Sequence, residues 1–302
     1  MKKLLAFLRL SRPIFLAGGA LVYALEAAMA RSVGVPIRGE VYLLGQLGVT
    51  AVQLMTHYLN EYWDFEADLL NRNRTPWSGG SGVLPLGLLA PRTALTAAWV
   101  CAGVAVLVLA ALLIGVKVGW ETFVIFGLAF SGAYFYSSPP VRLAQTGLGE
   151  WTTAGILAGL VPSFSYTLQA GGWSAAMLPA LIPLALLGVA MILTYEFPDF
   201  LTDEAAGKRT LLVRLGQRAG RQLHAALLLA AYLALTVGVW FGSPGRAALG
   251  AFIPLPLALL QTWQLRRISQ GVQVPWSRLT FAATANYALT AYFLVLGFWT
   301  AV

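Results

Sequence analysis

The chain of 302 residues is 58% hydrophobic and only 11% charged, with a mean hydropathy of +0.72. A soluble domain carries roughly a quarter charged residues, so the composition excludes an ordinary soluble enzyme and implies a polytopic membrane protein. Lys and Arg outnumber Asp and Glu by 20 to 12. In an apolar chain that excess is an insertion signal rather than a nucleic-acid footprint.

The amino terminus, Met1-Lys2-Lys3 before apolar residues and then Ala28-Met29-Ala30, has the outline of a cleavable signal. Arg9 and Arg12 delay the uninterrupted apolar stretch until Pro13, and Glu26 falls where cleavage would occur. The segment is therefore read as a retained first membrane helix. Apolar runs near 20 residues, the length that spans a bilayer, lie at 13–31, 41–60, 93–115, 120–138, 149–168, 175–195, 222–241, 247–265 and 280–300. Nine crossings put the termini on opposite sides. With the amino terminus inside, only Arg31, Arg38, Lys117 and Arg246 of the 20 Lys and Arg fall in outer segments, and this asymmetry fixes the orientation. Cys101, the single cysteine, lies in an apolar run, so neither a disulfide framework nor a thiolate metal site is available. His57 and His224 are too far apart to suggest a histidine metal centre.

The expected fold is all-α: a polytopic membrane protein with nine transmembrane helices in a bundle around a central cavity. The inner connections after helices 2 and 6, about 61–92 and 196–221, are long and polar, and are expected to form a cap over that cavity. Residues 1–302 read as one transmembrane domain. Asp64 and Asp199 stand 135 residues apart, as do Asp68 and Asp203. Four helices separate the two pairs, which suggests an internal duplication of about 13–138 and 149–265 in parallel orientation.

These acids carry the chemistry. Asn60, Asp64 and Asp68 recur at i, i+4 and i+8, and each step of four advances only about 40° around a helix, so they share a face. Asp199 and Asp203 repeat the step after a second apolar run. Carboxylates at the mouths of membrane helices are costly to desolvate, and a bound cation or an ionic pathway is the usual compensation. Oxygen-only ligands favour Mg²⁺, which is commonly held by a few carboxylates together with substrate phosphates. Beside the first group runs Asn71-Arg72-Asn73-Arg74-Thr75-Pro76-Trp77-Ser78-Gly79-Gly80-Ser81-Gly82, and beside the second Gly207-Lys208-Arg209-Thr210. The Gly and Ser residues offer backbone N–H groups and hydroxyls to phosphate oxygens. Two acidic pairs with nearby Lys and Arg suit a diphosphate, and an apolar, aromatic-lined tunnel would shelter an allylic cation.

The paired pattern Asn60-x-x-x-Asp64-x-x-x-Asp68 and Asp199-x-x-x-Asp203, in a basic chain with nine apolar segments, resembles the UbiA superfamily of intramembrane aromatic prenyltransferases. Tyr136-Ser137-Ser138-Pro139-Pro140-Val141-Arg142-Leu143 and Gly147-Leu148-Gly149-Glu150 also look like family segments, and Gly207 to Gly216 looks most like the dihydroxynaphthoate branch that makes menaquinone precursors. Tyr195-Glu196-Phe197-Pro198 departs from the Asn-rich approach common in that branch. The resemblance implies prenyl transfer from a polyprenyl diphosphate to an aromatic acceptor, with 1,4-dihydroxy-2-naphthoate favoured. It implies one Mg²⁺ on Asn60, Asp64 and Asp68 and another on Asp199 and Asp203. Arg72, Lys208 and Arg209 would grip the diphosphate, and Arg142 would steer the leaving group or an acceptor carboxylate. Tyr136 and Tyr195 are candidates to line the pocket, although aromatic residues also favour membrane interfaces. The expected setting is a bacterial or archaeal cell membrane with the active-site loops on the cytoplasmic side, membrane lipid around the helices and no nucleic-acid partner.

Blander readings stand beside these. His57, one turn before Asn60, reads as an interfacial hydrogen-bonding residue. Glu61 and Glu66 point off the shared face and read as solvated or paired, and Glu150 as a helix-start acid. A cation-coupled transporter would need polar groups near mid-membrane, whereas here the acids gather at one side. A CDP-alcohol phosphotransferase would carry a DG-x-x-AR segment, which is missing from the sequence. Acceptors such as 4-hydroxybenzoate, homogentisate, chlorophyllide, haem or a glycerol phosphate lipid remain open, as does a terpene cyclase.

Overall fold

The computed structural model describes residues 1–301, and every element of regular structure among them is helical. A short helix α1 (Lys2–Leu10) buries Ala6 and Leu10 while Leu4, Leu5 and Leu8 stay exposed beside Lys2, Lys3 and Arg9. Apolar residues next to basic ones on one short helix suit the membrane surface. Arg12, in the left-handed region at φ 48°, breaks the chain before Pro13, which starts α2 (Pro13–Ser32). Proline at a first helical position costs no hydrogen bond and presets φ.

The long rods that follow are α3 (Gly39–Trp63), α5 (Pro91–Ala111), α6 (Trp120–Phe135), α9 (Leu178–Ala205), α10 (Leu211–Gly238), α12 (Leu255–Ser269) and α13 (Trp276–Trp299). Shorter pieces are α4 (Phe65–Leu70), α7 (Gly149–Gly155), α8 (Val161–Ala170) and α11 (Gly245–Ala251). A π-helical turn, Ile156–Leu160, joins α7 to α8. Six helical stretches are long and apolar enough to cross a membrane: Pro13–Ser32, Pro91–Val116, Ala175–Ala205, Leu211–Phe241, Gly245–Ser269 and Trp276–Trp299. Helix α3 falls short of that standard because Gln53, Thr56, His57 and Asn60 interrupt its apolar surface, and these polar residues face the cavity described below.

Two boundaries differ from the sequence expectation in ways that matter. Residues 196–205 do not form a loop; α9 continues through Pro198 to Ala205, so Asp199 and Asp203 stand on a rigid helix. Pro198 removes one N–H from the helical ladder. The turn holds because Tyr195, Glu196 and Phe197 are buried and Glu196 accepts the Leu212 N–H at 2.9 Å, which ties it to the start of α10. Near the first motif, α3 ends at Trp63 and α4 begins at Phe65. The i→i−4 bonds Asp64 N–H to Asn60 O (2.9 Å) and Asp68 N–H to Asp64 O (2.8 Å) bridge the break. The shared face of Asn60, Asp64 and Asp68 therefore survives it.

Helix α3 packs most extensively against α5, and α9 against α10, while α2 lies between α8 and α13. Gly45 sets the approach of α2, α3 and α8. A Cβ there would collide with the Tyr23 hydroxyl and with Leu168, and Tyr23, buried, donates its hydroxyl to the Tyr42 carbonyl at 3.0 Å. Gly45→Val should therefore destabilise the bundle by about 1–3 kcal/mol, as overpacking usually does. A lowered Tm of the detergent-solubilised protein would check this; an unchanged Tm would mean the three helices can move apart freely.

Candidate active site

A cavity of about 300 Å³ opens among α2, α3, α6, α8 and α9. Its deep walls are apolar, with Val49, Val52, Phe126, Leu157, Leu160 and Phe164 among them, and its mouth is acidic. Asn60, Asp64, Asp68, Asp199, Asp203 and Lys208 all line it. The two sequence motifs, on different helices, therefore face one space.

Local structure explains how Lys208 reaches that space. After α9, Gly207 takes φ +72°, a conformation that favours glycine. The Gly207 N–H bonds Glu204 O at 3.1 Å and the Lys208 N–H bonds Asp203 O at 2.9 Å, which folds the chain back over the last turn. The ammonium then lies 3.5 Å from both Asp64 Oδ2 and Asp203 Oδ1, bridging the motifs. Immediately downstream, three side chains take the first free N–H groups of α10. Glu150 accepts from Leu211 N at 2.8 Å, Glu196 from Leu212 N at 2.9 Å, and Thr210 from Val213 N at 3.4 Å. Acidic caps suit a helix amino terminus, and here they also pin the segment that carries Lys208.

Opposite, residues 71–90 form turns that fold over the ends of α3 and α9. Asn71 donates to Asp199 Oδ1 at 2.8 Å, and Asn73 to the Pro198 carbonyl at 3.3 Å. Gly80, at φ +73°, lies against Asp68 so closely that any Cβ would strike its carboxylate. Asn60 donates to Asp64 Oδ2 at 2.7 Å.

Four aspartates against one lysine leave the mouth with excess negative charge. Burial, and then the neighbouring Asp64 and Glu61 carboxylates, push the Asp68 pKa up to about 7. Burial opposes the charge on Lys208, but the combined attraction of Asp64, Asp203, Asp68 and Asp199 outweighs it and raises its pKa. Asp64 Oδ1 is buried without any hydrogen-bond partner. A buried, unpaired carboxylate oxygen in an acid-rich mouth is the position a cation would satisfy, and an all-oxygen donor set suits Mg²⁺. Among the described residues no three His, Cys, Asp or Glu side chains close a cage by themselves.

The other expected site residues separate. Tyr136 and Tyr195 line the cavity, and the Tyr195 hydroxyl pairs with that of Thr284 at 2.6 Å. Arg72 and Arg209 are exposed and stand outside the cavity lining. Arg142 also lies outside it, with its guanidinium over the Trp63 ring at 5.4 Å. The arginine that does line the cavity is Arg12. It pairs with Glu61 at 2.6 Å, and Glu61, fully buried, also accepts from the Ser81 backbone N–H (2.6 Å) and hydroxyl (2.7 Å). Glu61 is thus paired rather than solvated, because it joins the α1–α2 break to the glycine-rich turn. No sequence signal links Arg12 to Glu61, which lie 49 residues apart.

A model of the UbiA prenyltransferase family matches residues 20–283. The chain belongs to this family. Among curated proteins, it is 24% identical over 205 residues to the 1,4-dihydroxy-2-naphthoate octaprenyltransferase of Bacillus subtilis, covering 68% of this chain and 64% of that protein. It is 28% identical over 120 residues to the 2-carboxy-1,4-naphthoquinone phytyltransferase of Synechocystis, covering 40% and 39%. The matches thus span less than two thirds of either relative. A UbiA homologue from Archaeoglobus fulgidus bound to GPP and Mg²⁺ superposes with TM-score 0.66 at 16% identity, over 97% of this chain and 98% of that one. A digeranylgeranylglyceryl phosphate synthase gives 0.64 at 14% identity, over 99% of both. The UbiA fold is therefore shared along nearly the whole chain, and with its apolar helices the protein is an integral, multi-pass membrane protein.

Removing one member of a buried ion pair leaves the other charge uncompensated. Glu61→Ala should lower stability by about 3 kcal/mol, read as a fall in Tm in detergent. Arg12→Ala combined with Glu61→Ala should recover part of that loss; a double variant as damaged as the sum of the singles would show that the two charges do not interact.

Proposed function

We propose that this chain is an intramembrane prenyltransferase that uses Mg²⁺ to transfer a prenyl group from a polyprenyl diphosphate to an aromatic acceptor. The favoured acceptor is 1,4-dihydroxy-2-naphthoate, in menaquinone biosynthesis. The observation that carries the reading is the meeting of two aspartate motifs from α3–α4 and α9 across Lys208, at the polar mouth of an otherwise apolar cavity. The acceptor is supported by the names of the two curated relatives, both of which specify a naphthalene-derived ring. A different acceptor, including a glycerol phosphate lipid, or cyclisation without one, is the second reading.

In this reading Asn60, Asp64 and Asp68 would hold one ion and Asp199 and Asp203 another. Bound there, the ions would offset the negative charge that builds on the departing diphosphate. Lys208 neutralises part of the remaining phosphate charge, and its ammonium donates hydrogen bonds as the allylic C–O bond lengthens. Gly79 and Gly80, lining the cavity, let backbone N–H groups approach phosphate oxygens. The prenyl tail occupies the apolar depth towards Phe126 and Phe164, whose rings pack at 5.1 Å. Tyr136, Tyr195 and Phe15 line the cavity and supply aromatic rings that would stabilise the developing allylic cation. The electron-rich ring carbon attacks that cation, and loss of the ring proton, or of carboxylate as CO₂, restores aromaticity. Nine crossings with the acidic mouth on the cytoplasmic side are part of the proposal, as is the role of residues 71–90 and 206–210 as a cap. So is the internal duplication, in which the α3–α5 and α9–α10 pairs would correspond.

The test is label transfer from a radiolabelled prenyl diphosphate in nanodiscs, with Mg²⁺ or EDTA, across a panel of acceptors. Mg²⁺-dependent transfer to dihydroxynaphthoate but not to 4-hydroxybenzoate is expected, and transfer that is insensitive to EDTA would defeat the metal assignment. Asp64→Asn and Asp199→Asn should each lower kcat at least about a hundredfold with Tm maintained. Lys208→Ala should raise the diphosphate KM or lower kcat, and wild-type kinetics in that variant would remove Lys208 from the site.

A further inference from the structure

Below the aspartates, α3 carries a second polar feature. Gln53, His57, Asn60 and Asp64 follow at spacings of four, three and four, which keeps them on one helix face, and all four line the cavity. At 1.5 Å per residue His57 lies about 10 Å along the axis from Asp64, towards the apolar depth. The neighbouring polar groups on this stripe are occupied by the protein. Gln53 donates to the Phe15 carbonyl at 2.7 Å, with its amide oxygen packed into the space left by Gly19. Thr56 donates its hydroxyl to the Val52 carbonyl at 2.9 Å.

His57 differs. Its Nδ1 lies 3.2 Å from the Ser11 carbonyl oxygen. A carbonyl only accepts, so Nδ1 carries the proton, and in the neutral ring Nε2 carries a lone pair. The ring is held edge-on to Phe15, centroids 5.9 Å apart at 73°. Among the described residues no hydrogen bond is found to Nε2, and His57 is half-buried at the cavity wall. The tautomer is thus set by the Ser11 carbonyl at the α1–α2 break and the ring orientation by Phe15 of α2, on a residue that lines the cavity.

We propose that His57 Nε2 accepts a hydrogen bond from a ring hydroxyl of the aromatic acceptor, and so selects hydroxylated rings and sets the depth at which they lie. This rests on the prenyltransferase reading above. A ring activated for attack by carbon carries a hydroxyl, and a hydroxyl left unpaired in apolar surroundings is strongly disfavoured. The carboxylates at the mouth face the diphosphate end, the Tyr195 hydroxyl is paired with Thr284, Arg12 with Glu61 and Glu196 with the Leu212 N–H, whereas the imidazole keeps an unpaired nitrogen for the ring.

The test compares wild type, His57→Leu and His57→Gln in nanodiscs, with dihydroxynaphthoate and its O-methyl ethers as probes. The Leu variant should raise the acceptor KM about tenfold, the worth of one hydrogen bond, and leave the diphosphate KM unchanged. Gln, which keeps an acceptor oxygen near the Nε2 position, should recover most of the loss. With only two histidines in the chain, ¹⁵N-histidine labelling gives a resolvable His57 Nε2 resonance, assigned by its loss in the Leu variant. It should shift on addition of dihydroxynaphthoate and stay put with the dimethyl ether. An active wild type whose Nε2 resonance does not move, or a Leu variant with an unchanged acceptor KM, would overturn the inference while leaving the prenyltransferase reading intact. A wild type that transfers to no hydroxylated ring would remove both.

Discussion

Crowding of carboxylates at one end of an apolar bundle is the constraint on which the rest of the structure depends. Asp64, Asp68, Asp199 and Asp203 share one cavity mouth with a single lysine. Like charges brought together away from bulk water repel strongly, and the raised pKa of Asp68 reflects its burial first and the neighbouring Asp64 and Glu61 carboxylates second. Such a cluster persists only if the surrounding structure prevents the acids from moving apart. Asp199 and Asp203 accordingly stand on the long α9, Asp64 and Asp68 follow the end of α3 across a break bridged by i→i−4 hydrogen bonds, and the connections between the motifs are tied to the opposite motif.

Each tie has a distinct physical job. Asn71 reaches from the first connection to Asp199, and Lys208 reaches from the second to Asp64. The exchange makes the separation between α3 and α9 a property of both connections at once. Glu150 and Glu196 then anchor the start of α10, so Lys208 is held between a glycine reversal and a three-oxygen cap. Arg12 and Glu61 close the remaining side by joining the α1–α2 break to Ser81. Lysine suits the bridging position better than arginine would. Its compact charge on a flexible stem can be shared among several carboxylates and phosphate oxygens, whereas a planar guanidinium commits to one bidentate partner.

The sequence was most legible where one physical rule dominates. Hydropathy located most of the long helices to within a few residues but stopped α9 at 195 rather than Ala205 and started α10 at 222 rather than Leu211, because the polar ends of both helices lack an apolar signal. The four-residue spacing of acids was visible because helix periodicity alone puts them on a face. It was least legible where partners lie far apart in the chain. Pro198 signals the end of a helix locally, yet burial of its neighbours and the Glu196 cap carry α9 through it. Arg12 reads as an inside-positive charge until the fold brings Glu61 beside it. Arg72, Arg209 and Arg142 read as anion-binding from their position next to the motifs, but a long side chain on a loop is free to face water or an aromatic ring, and these three do. Composition indicates that cations are near the site; only the tertiary structure decides which of them point inward.

The segregation of polarity along α3 carries the argument one step further. Aspartates stand at the mouth, a histidine and three amide or hydroxyl side chains (Asn60, Thr56 and Gln53) lie one to three turns down, and valines follow. Charged groups are tolerated at the edge of the hydrocarbon, where headgroups and water still reach them, and become steeply more costly towards the centre. Neutral groups with internal partners can go deeper, as Gln53 and Thr56 do by donating to nearby carbonyls. A gradient of this kind matches a ligand that is anionic at one end, weakly polar in the middle and hydrocarbon beyond. It fits an ion pathway poorly, since a pathway needs polar groups that continue to the far side. The depth at which α3 changes character is therefore set by bilayer energetics, and the chemistry proposed for this protein lies where those energetics permit charge to meet grease.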